Sequence, residues 1–344
     1  MRRENGKGLW IHGVAIILLV SSLIMACIIG SSDVSIKTVI YILLNQIFGM
    51  EHDFIRQADI YIIWNLRLPR AILAFAVGGG LAVAGAAMQS VTRNVMADPY
   101  VLGVSSGALA CVSIGYLVGG ILTTIRWFIP VLAFSGAIGS LLLLFAIGGF
   151  SKTSSPSKLV LSGMAISTTL NAVAQYCIYN TQGTNNANSI VAWMMGSLAS
   201  ARWDNIVIPI LGCLLGGICF ISKARAFDLI ALGDETAISL GTNTNKIKRL
   251  ALILVAAIAG LAVASCGMIG LVGFVIPHIV RFLAGTEHRK LFPLTILIGG
   301  IFLIWMDICA RTLLAPQEIP IGIFTSLVGG PYFIWMLRRK ARRK

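Results

Sequence analysis

Charged side chains are few in this 344-residue sequence, and their placement is the first information about chemistry. Arg67, Arg70 and Arg311 stand at the ends of long apolar runs, and Asp307 lies four residues before Arg311, on the same face of a helix. The plain reading of these arginines is interfacial snorkelling with Asp307 as a ready partner. Arg281 and His278 near the end of one run, and Asp307 inside another, are among the few ionisable groups within apolar stretches. A carrier driven by protons is expected to hold acidic or histidine relays near the midplane, so this scarcity counts against one. There is no H-E-x-x-H, no G-x-S-x-G and no clustered acid–base set to support an intramembrane enzyme. A G-x-x-x-x-G-K-[S/T] loop is also missing, so the chain cannot hydrolyse ATP by a Walker A site. The seven cysteines (Cys27, Cys111, Cys177, Cys213, Cys219, Cys266, Cys309) all fall in apolar runs without a C-x-x-C pair or a nearby histidine cluster, so they read as packing residues and no metal site is expected.

The elements that must position these groups are membrane spans. Hydrophobic residues make up 57% of the chain and charged ones 12%, with a mean hydropathy of +0.88; a soluble domain spends about a quarter of its residues on charge. The apolar residues come in blocks near 9–30, 67–90, 99–119, 128–149, 159–181, 204–222, 248–268, 270–284, 291–311 and 321–337, most of them long enough for a hydrocarbon core of roughly 30 Å. The expected fold is all-α: one polytopic bundle of about ten spans, residues 1–344 forming a single transmembrane domain. The first block follows Met1-Arg2-Arg3 and only faintly resembles a lipoprotein cleavage box at Ile24-Met25-Ala26-Cys27, so it reads as a retained first span. Ten spans put both termini on one side. Assigning that side to the cytoplasm leaves 19 Lys and Arg inside, including Lys152 and the tail to Lys344, against seven outside, as the positive-inside tendency requires. The net charge of +14 is thus a topology signal, and nucleic acid is not expected as a partner.

Residues 80–88 (GLAVAGAAM) match residues 260–268 (GLAVASCGM) at six of nine positions. Five spans separate the two, so a true repeat would be inverted, a plan shared by carriers that expose a midplane site alternately to either side. Spacings such as Gly103-x-x-x-Gly107 and Gly212-x-x-x-Gly216 read as close helix packing. Two polar stretches interrupt the apolar pattern. In the first, Gln89, Arg93 and Asn94 end a span, and Asp98 followed by Pro99 reads as an N-cap and first helical residue. In the second, residues 222–249, Asp234 and Glu235 suit the start of a short helix and Gly241 its stop. Asn171 and Gln175, at i and i+4, read either as helix-to-helix glue or as the wall of a path.

These stretches resemble the FecCD permeases, the transmembrane subunits of bacterial ABC importers for iron–siderophore complexes, haem and vitamin B12. The resemblance is carried by Leu66-Arg67-Leu68-Pro69-Arg70, Arg93-Asn94 with Ala97-Asp98-Pro99 and Leu102-Gly103-Val104-Ser105-Ser106-Gly107, Leu232-Gly233-Asp234-Glu235 with Leu240-Gly241, residues 269–278, and Ala310-Arg311 with Glu318-Ile319-Pro320-Ile321-Gly322. Val95 and Met268 stand where the family usually has proline. The resemblance implies a type II importer permease of the cytoplasmic (inner) membrane with both termini cytoplasmic, an iron(III)–siderophore as cargo, and haem or vitamin B12 as alternatives; the rival from another class is an ion-coupled secondary transporter. It implies that Arg67, Arg70 and Arg311 receive acidic residues of an extracytoplasmic binding protein. It makes residues 223–247, with Leu232, Gly233, Asp234, Glu235, Ala237, Leu240 and Gly241, the segment that fits an ATPase subunit, of which the complex has two. Those subunits would bind ATP and magnesium, this chain holding no cofactor. The path is expected between two copies of the chain, or a copy and a homologue, lined by Ser162, Gly163, Met164, Asn171 and Gln175 and gated at Asn94, Val95 and Met96. His278 is expected to act as a structural donor in a Val-Pro-His turn.

Overall fold

Residues 77–92 are buried without interruption, a stretch dominated by Gly, Ala and Val, and the helix that carries them organises the rest. The computed structural model describes residues 2–30, 34–49, 55–148, 156–181 and 185–341; Lys152 and the last three residues of the basic tail lie outside these. The described residues are helical or in turns, with no strand among them. The helices are α1 (Arg2–Ile28), α2 (Ile36–Phe48), α3 (Gln57–Ile60), α4 (Leu68–Thr92), α5 (Val104–Val118), α6 (Phe128–Gly148), α7 (Pro156–Asn180), α8 (Asn185–Met195), α9 (Trp203–Ser222), α10 (Ala224–Leu232), α11 (Asp234–Ser239), α12 (Thr244–Cys266), α13 (Val272–Ala284), α14 (His288–Thr312) and α15 (Ile321–Ala341). A wider, π-type turn over Tyr61–Arg67 joins α3 to α4 without a break, so the second span runs from Gln57 to Thr92, ten residues longer at its start than expected. Each of the ten apolar blocks is helical over most of its length. Among the described residues, six helical stretches are long and apolar enough to cross a membrane by length and composition; α2, α5, α13 and α15 present shorter apolar stretches.

Lipid offers no hydrophobic drive for helix association, so helices must approach closely enough for dispersion and weak polar contacts to hold them. Around α4 the approach is backbone on backbone. A side chain at Gly85 would strike the Gly273 carbonyl of α13, and Gly78 lies against the Gly299 carbonyl of α14. The two small-residue spacings behave alike: Gly107 meets Gly136 of α6, and Gly212 and Gly216 receive Leu261 and Ile258 of α12. Arg70 pairs with Asp307, Gly78 with Gly299, and Ser90 with His288, so α4 and α14 run antiparallel.

Both repeated segments lie at the centre. α4 packs on α13 and α14, α12 packs on α5 and α6, and α4 and α12 pack on each other, the exchange of partners a two-fold relation produces. In each half a long buried helix ends in a residue of positive φ, Arg93 (49°) or Gly267 (70°), and a short apolar helix follows. One expected turn is absent: Pro277 lies inside α13, and His278 faces the Tyr332 ring at 6.1 Å. The cysteines are free and buried or half-buried.

Replacing Gly85 by valine forces two backbones apart, and overpacking of this kind costs about 1–3 kcal/mol or more. The variant is expected to unfold at lower temperature than the parent in detergent, whereas Gly139→Ala, where a Cβ meets open space, leaves the transition unchanged.

Candidate functional site

About 20 residues separate Arg70 from Ser90, roughly 30 Å along a helix and thus one hydrocarbon thickness. Polar networks stand at both positions, and α4 is the rod between them.

At the Arg67 end the first helix stops, and its last carbonyls have no partner inside the helix. Arg67 Nη1 donates to the carbonyls of Cys27 at 2.8 Å and Ile28 at 2.9 Å, and Arg311 Nη2 donates to Ala26 at 2.5 Å. Cations at a helix C-terminus also complement its dipole. Both arginines are 6% exposed. Arg70 instead bridges two acids: its Nε lies 2.7 Å from Asp307 Oδ1, and its Nη1 meets both carboxylate oxygens of Glu318 at 2.9 Å. Asp307 is therefore shared, with Arg70 as its close partner and Arg311 at 3.5 Å; the expected pairing within α14 is the weaker of the two. The three arginines, Arg202 and Glu318 line one cavity of about 280 Å³. The capping of α1 was not foreseen, because a carbonyl carries no sequence signal.

At the Arg93 end, α4 stops at a left-handed Arg93 and the chain turns over residues 94–97. Asn94 accepts from the Met96 amide through its side chain at 3.0 Å and from the Ala97 amide through its carbonyl at 3.0 Å. The side-chain bond makes an Asx turn, so the turn closes without the family's proline at Val95. Asn94, Val95 and Met96 are exposed. Asp98 accepts the Tyr100 amide at 2.9 Å, and Pro99 opens a 3₁₀ turn over Pro99–Leu102 before α5 begins. Burial pushes the Asp98 carboxyl up to about 6, against the pull of the Tyr100 amide.

The 222–249 stretch folds into α10 and α11. α11 starts at Asp234, Gly241 (φ 82°) ends it, and the Thr242 amide returns to the Ala237 carbonyl at 2.9 Å. Leu232, Glu235, Ile238 and Leu240 are exposed while Ala237 is buried. Asp234 lies 2.6 Å from Arg93 Nη2 and 2.6 Å from Lys248 Nζ. Burial pushes its carboxyl up, but Lys248 and Arg93 together pull harder and hold it below the usual carboxylate range. Asp228, on α10, receives both the backbone amide and Nδ1 of His288, at 2.9 and 2.6 Å.

The residues proposed for a path sit along α7. Met164 and Gln175 are exposed, Ser162 and Asn171 half-buried, and Gly163 is buried against the Val101 carbonyl. Sequence reasoning missed a second surface, an open recess of about 660 Å³ where Met194, Met195 and Met268 meet α15 at Gly322 and Ser326. Met268, where the family's proline is replaced, was its one signal. Among the described residues no group of three or more His, Cys, Asp or Glu is placed to hold a metal.

Residues 16–339 match the FecCD transport family. YvrB of Bacillus subtilis (strain 168), an ABC transporter permease protein, is 37% identical over 342 residues, covering 99% of this chain and 96% of its own length. FecD of Escherichia coli (strain K12), the permease protein of an Fe(3+) dicitrate transport system, is 37% identical over 81% of this chain and 86% of its own. A metal-chelate type ABC transporter solved in an inward-facing conformation superposes with a TM-score of 0.83 at 28% identity, covering 96% of this chain and 99% of that one.

Two outcomes follow from the networks. Asp307→Asn leaves Arg70 and Arg311 buried without their shared charge, and breaking such a cluster costs about 3–5 kcal/mol; thermal unfolding in detergent should register the loss. The raised Asp98 pKa means that the folded state holds this proton more tightly than the unfolded one, so its stabilisation is full below the ordinary carboxylate value and is lost as pH rises through about 6. Asp98→Asn retains the N-cap acceptor, so it should flatten the fall in melting temperature between about pH 4 and 6.

Proposed function

The chain belongs to the FecCD transport family, and from that premise we propose that it is the permease subunit of an importer carrying an iron(III)–siderophore chelate across the cytoplasmic membrane. It is an integral membrane permease of the ABC class. The iron chelate is favoured by relatives such as the Fe(3+) dicitrate permease. A hemin permease of Yersinia pestis, 37% identical over 82% of this chain, keeps haem as the alternative. The observation that carries the reading is the pairing of two polar stations a bilayer apart on α4, one beside a cavity lined by arginines and the other bound to the α10–α11 segment.

In this reading the Arg67 end faces outward. A substrate-binding protein brings carboxylates to the cavity, where Arg70 is the least buried of the three arginines and Arg67 and Arg311, engaged with α1, hold the floor in place. Glu318 already occupies Arg70, so an incoming carboxylate competes with it. The Arg93 end faces the cytoplasm. There Leu232, Ile238 and Leu240 present an apolar edge, flanked by Glu235, to one of the complex's two ATPase subunits, which hold ATP and magnesium. The path runs between this chain and a second copy or homologue, along the α7 face and the methionine recess, and closes at residues 94–96. Thioether and small side chains suit a wide conduit for a ligand whose metal is already chelated.

Two measurements bear on this. A fluorescence or calorimetric screen of the cognate binding protein against iron–siderophores, haem and cobalamin should give its tightest binding with an iron–siderophore; preference for haem or cobalamin would replace the cargo assignment. For docking in nanodiscs, Glu318→Gln frees Arg70 and should tighten binding-protein affinity, while Arg70→Glu should weaken it by about tenfold or more. Unchanged affinity in both variants would remove Arg70 from the interface.

A further inference from the structure

The proposed function needs a mechanical path from the α10–α11 segment to the loop at residues 94–96, and the inference below rests on that reading. Ser90 lies in the last turn of α4, and Arg93, three residues on, is the left-handed residue that ends it. Ser90 Oγ lies 2.6 Å from His288 Nε2, and His288 Nδ1 lies 2.6 Å from Asp228 Oδ1. The ring donates through Nδ1–H to the carboxylate, which leaves Nε2 as acceptor for the serine hydroxyl; the Ala86 carbonyl, at 2.9 Å, is that hydroxyl's alternative acceptor. The order Ser–His–Asp is that of a hydrolase, but Ser90 is 7% exposed and His288 4%, and Phe227 and Phe292 pack about the imidazole with ring centroids at 5.8 and 4.9 Å. The chain of bonds is therefore a tie. Arg93 makes the second tie: Nη2 meets Asp234 Oδ1 at 2.6 Å, and Nε donates to the Ile230 carbonyl at 3.2 Å.

The end of α4 thus grips the coupling segment at Asp228, Ile230 and Asp234, from the middle of α10 to the first residue of α11. We propose that this clamp is the transmission element of the transporter: when the ATPases displace α10 and α11, the end of α4 and the gate loop that continues it move with them as one body. Ser90, His288 and Arg93 are positioning residues in this account. The two ties differ in kind. Arg93 and Asp234 have side chains 42% and 41% exposed, so loss of that pair leaves the fold intact, whereas the buried tie fixes direction.

The test uses the complete complex with its ATPase subunits in nanodiscs, with the native cysteines replaced and a single cysteine introduced as Val95→Cys in the exposed gate loop. The readout is the maleimide labelling rate there, with and without ATP–Mg²⁺ trapped by vanadate. The parent rate should change severalfold on trapping. In Ser90→Ala combined with Arg93→Gln, ATP hydrolysis should stay within about twofold of the parent while the change in labelling falls to about a third or less. Ser90→Thr combined with Arg93→Lys, which keeps both donors, should restore at least about half of it. Thr92→Ala perturbs the same helix end, where Thr92 Oγ1 bonds the Met88 carbonyl at 2.8 Å, without touching the clamp, and should keep the full response. Arg93→Gln alone, safe for folding, should lower the response by about half. A full response in both the double variant and Arg93→Gln, with hydrolysis intact, overturns the clamp. A parent complex that does not assemble with ATPases, or whose labelling ignores nucleotide, overturns the functional reading and the inference with it.

Discussion

A helix surrounded on every side inside a membrane protein has to be made of small residues, because nothing but close contact holds it there. α4 meets that demand from residue 77 to residue 92, and the rest of the bundle is arranged about it. Where its glycines face α13 and α14, backbones touch and leave no room to slide. Packed interiors of this kind are bistable and not continuously deformable. A rod so held passes displacement from one end to the other, which gives meaning to the polar networks at its two ends.

Those networks use charge in opposite ways. At the Arg67 end, Asp307 and the three arginines are almost wholly buried; Arg70 is held by the carboxylates of Asp307 and Glu318, and the hydrogen bonds of Arg67 and Arg311 go to helix carbonyls that would otherwise face an apolar medium. Leaving a backbone acceptor unmet there costs more than in water, so the arginines close the end of α1 before they do anything else. At the Arg93 end the ions are half-exposed and weakly held. One end closes a helix terminus, and the other ties α4 to the α10–α11 segment.

The apolar helices were legible in the sequence, six stretches among the described residues being long and apolar enough to span, because apolar blocks of about twenty residues have few other uses in a chain so poor in charge. α11 was legible too, since Asp234 at the start and Gly241 at the stop are local signals. α2 and α8 were not: α2 is short, and α8 opens on Asn185 and Asn186 and carries too little apolar sequence to stand out. The extension from Gln57 was hidden because its polar start reads as loop. Within the sites, local geometry could be foreseen and distant pairing could not. The turn at Asn94 and the N-cap at Asp98 are written within a few residues, whereas Ser90 reaches His288 across 198 positions and Arg70 reaches Glu318 across 248. Periodicity carries no information about such separations. The arginine triplet was visible as a set of residues, but its first task, capping α1, depends on where another helix happens to end.

The same distinction explains why cargo is the least determined property. The surfaces proposed to line the path, the α7 face and the methionine recess, hold few ionisable groups, and no cluster of metal-ligating side chains occurs among the described residues. Specificity is a difference in affinities, which requires groups that one ligand satisfies and another leaves unpaired. A wall of thioethers, small residues and two amides has little with which to penalise the wrong chelate. In the proposed reading, discrimination then belongs to the protein that delivers the ligand to the arginine-lined cavity, and the permease is left to respond to delivery. That division needs a rigid connection from the outer cavity to the inner helices more than it needs a selective path, and α4 is built for the first.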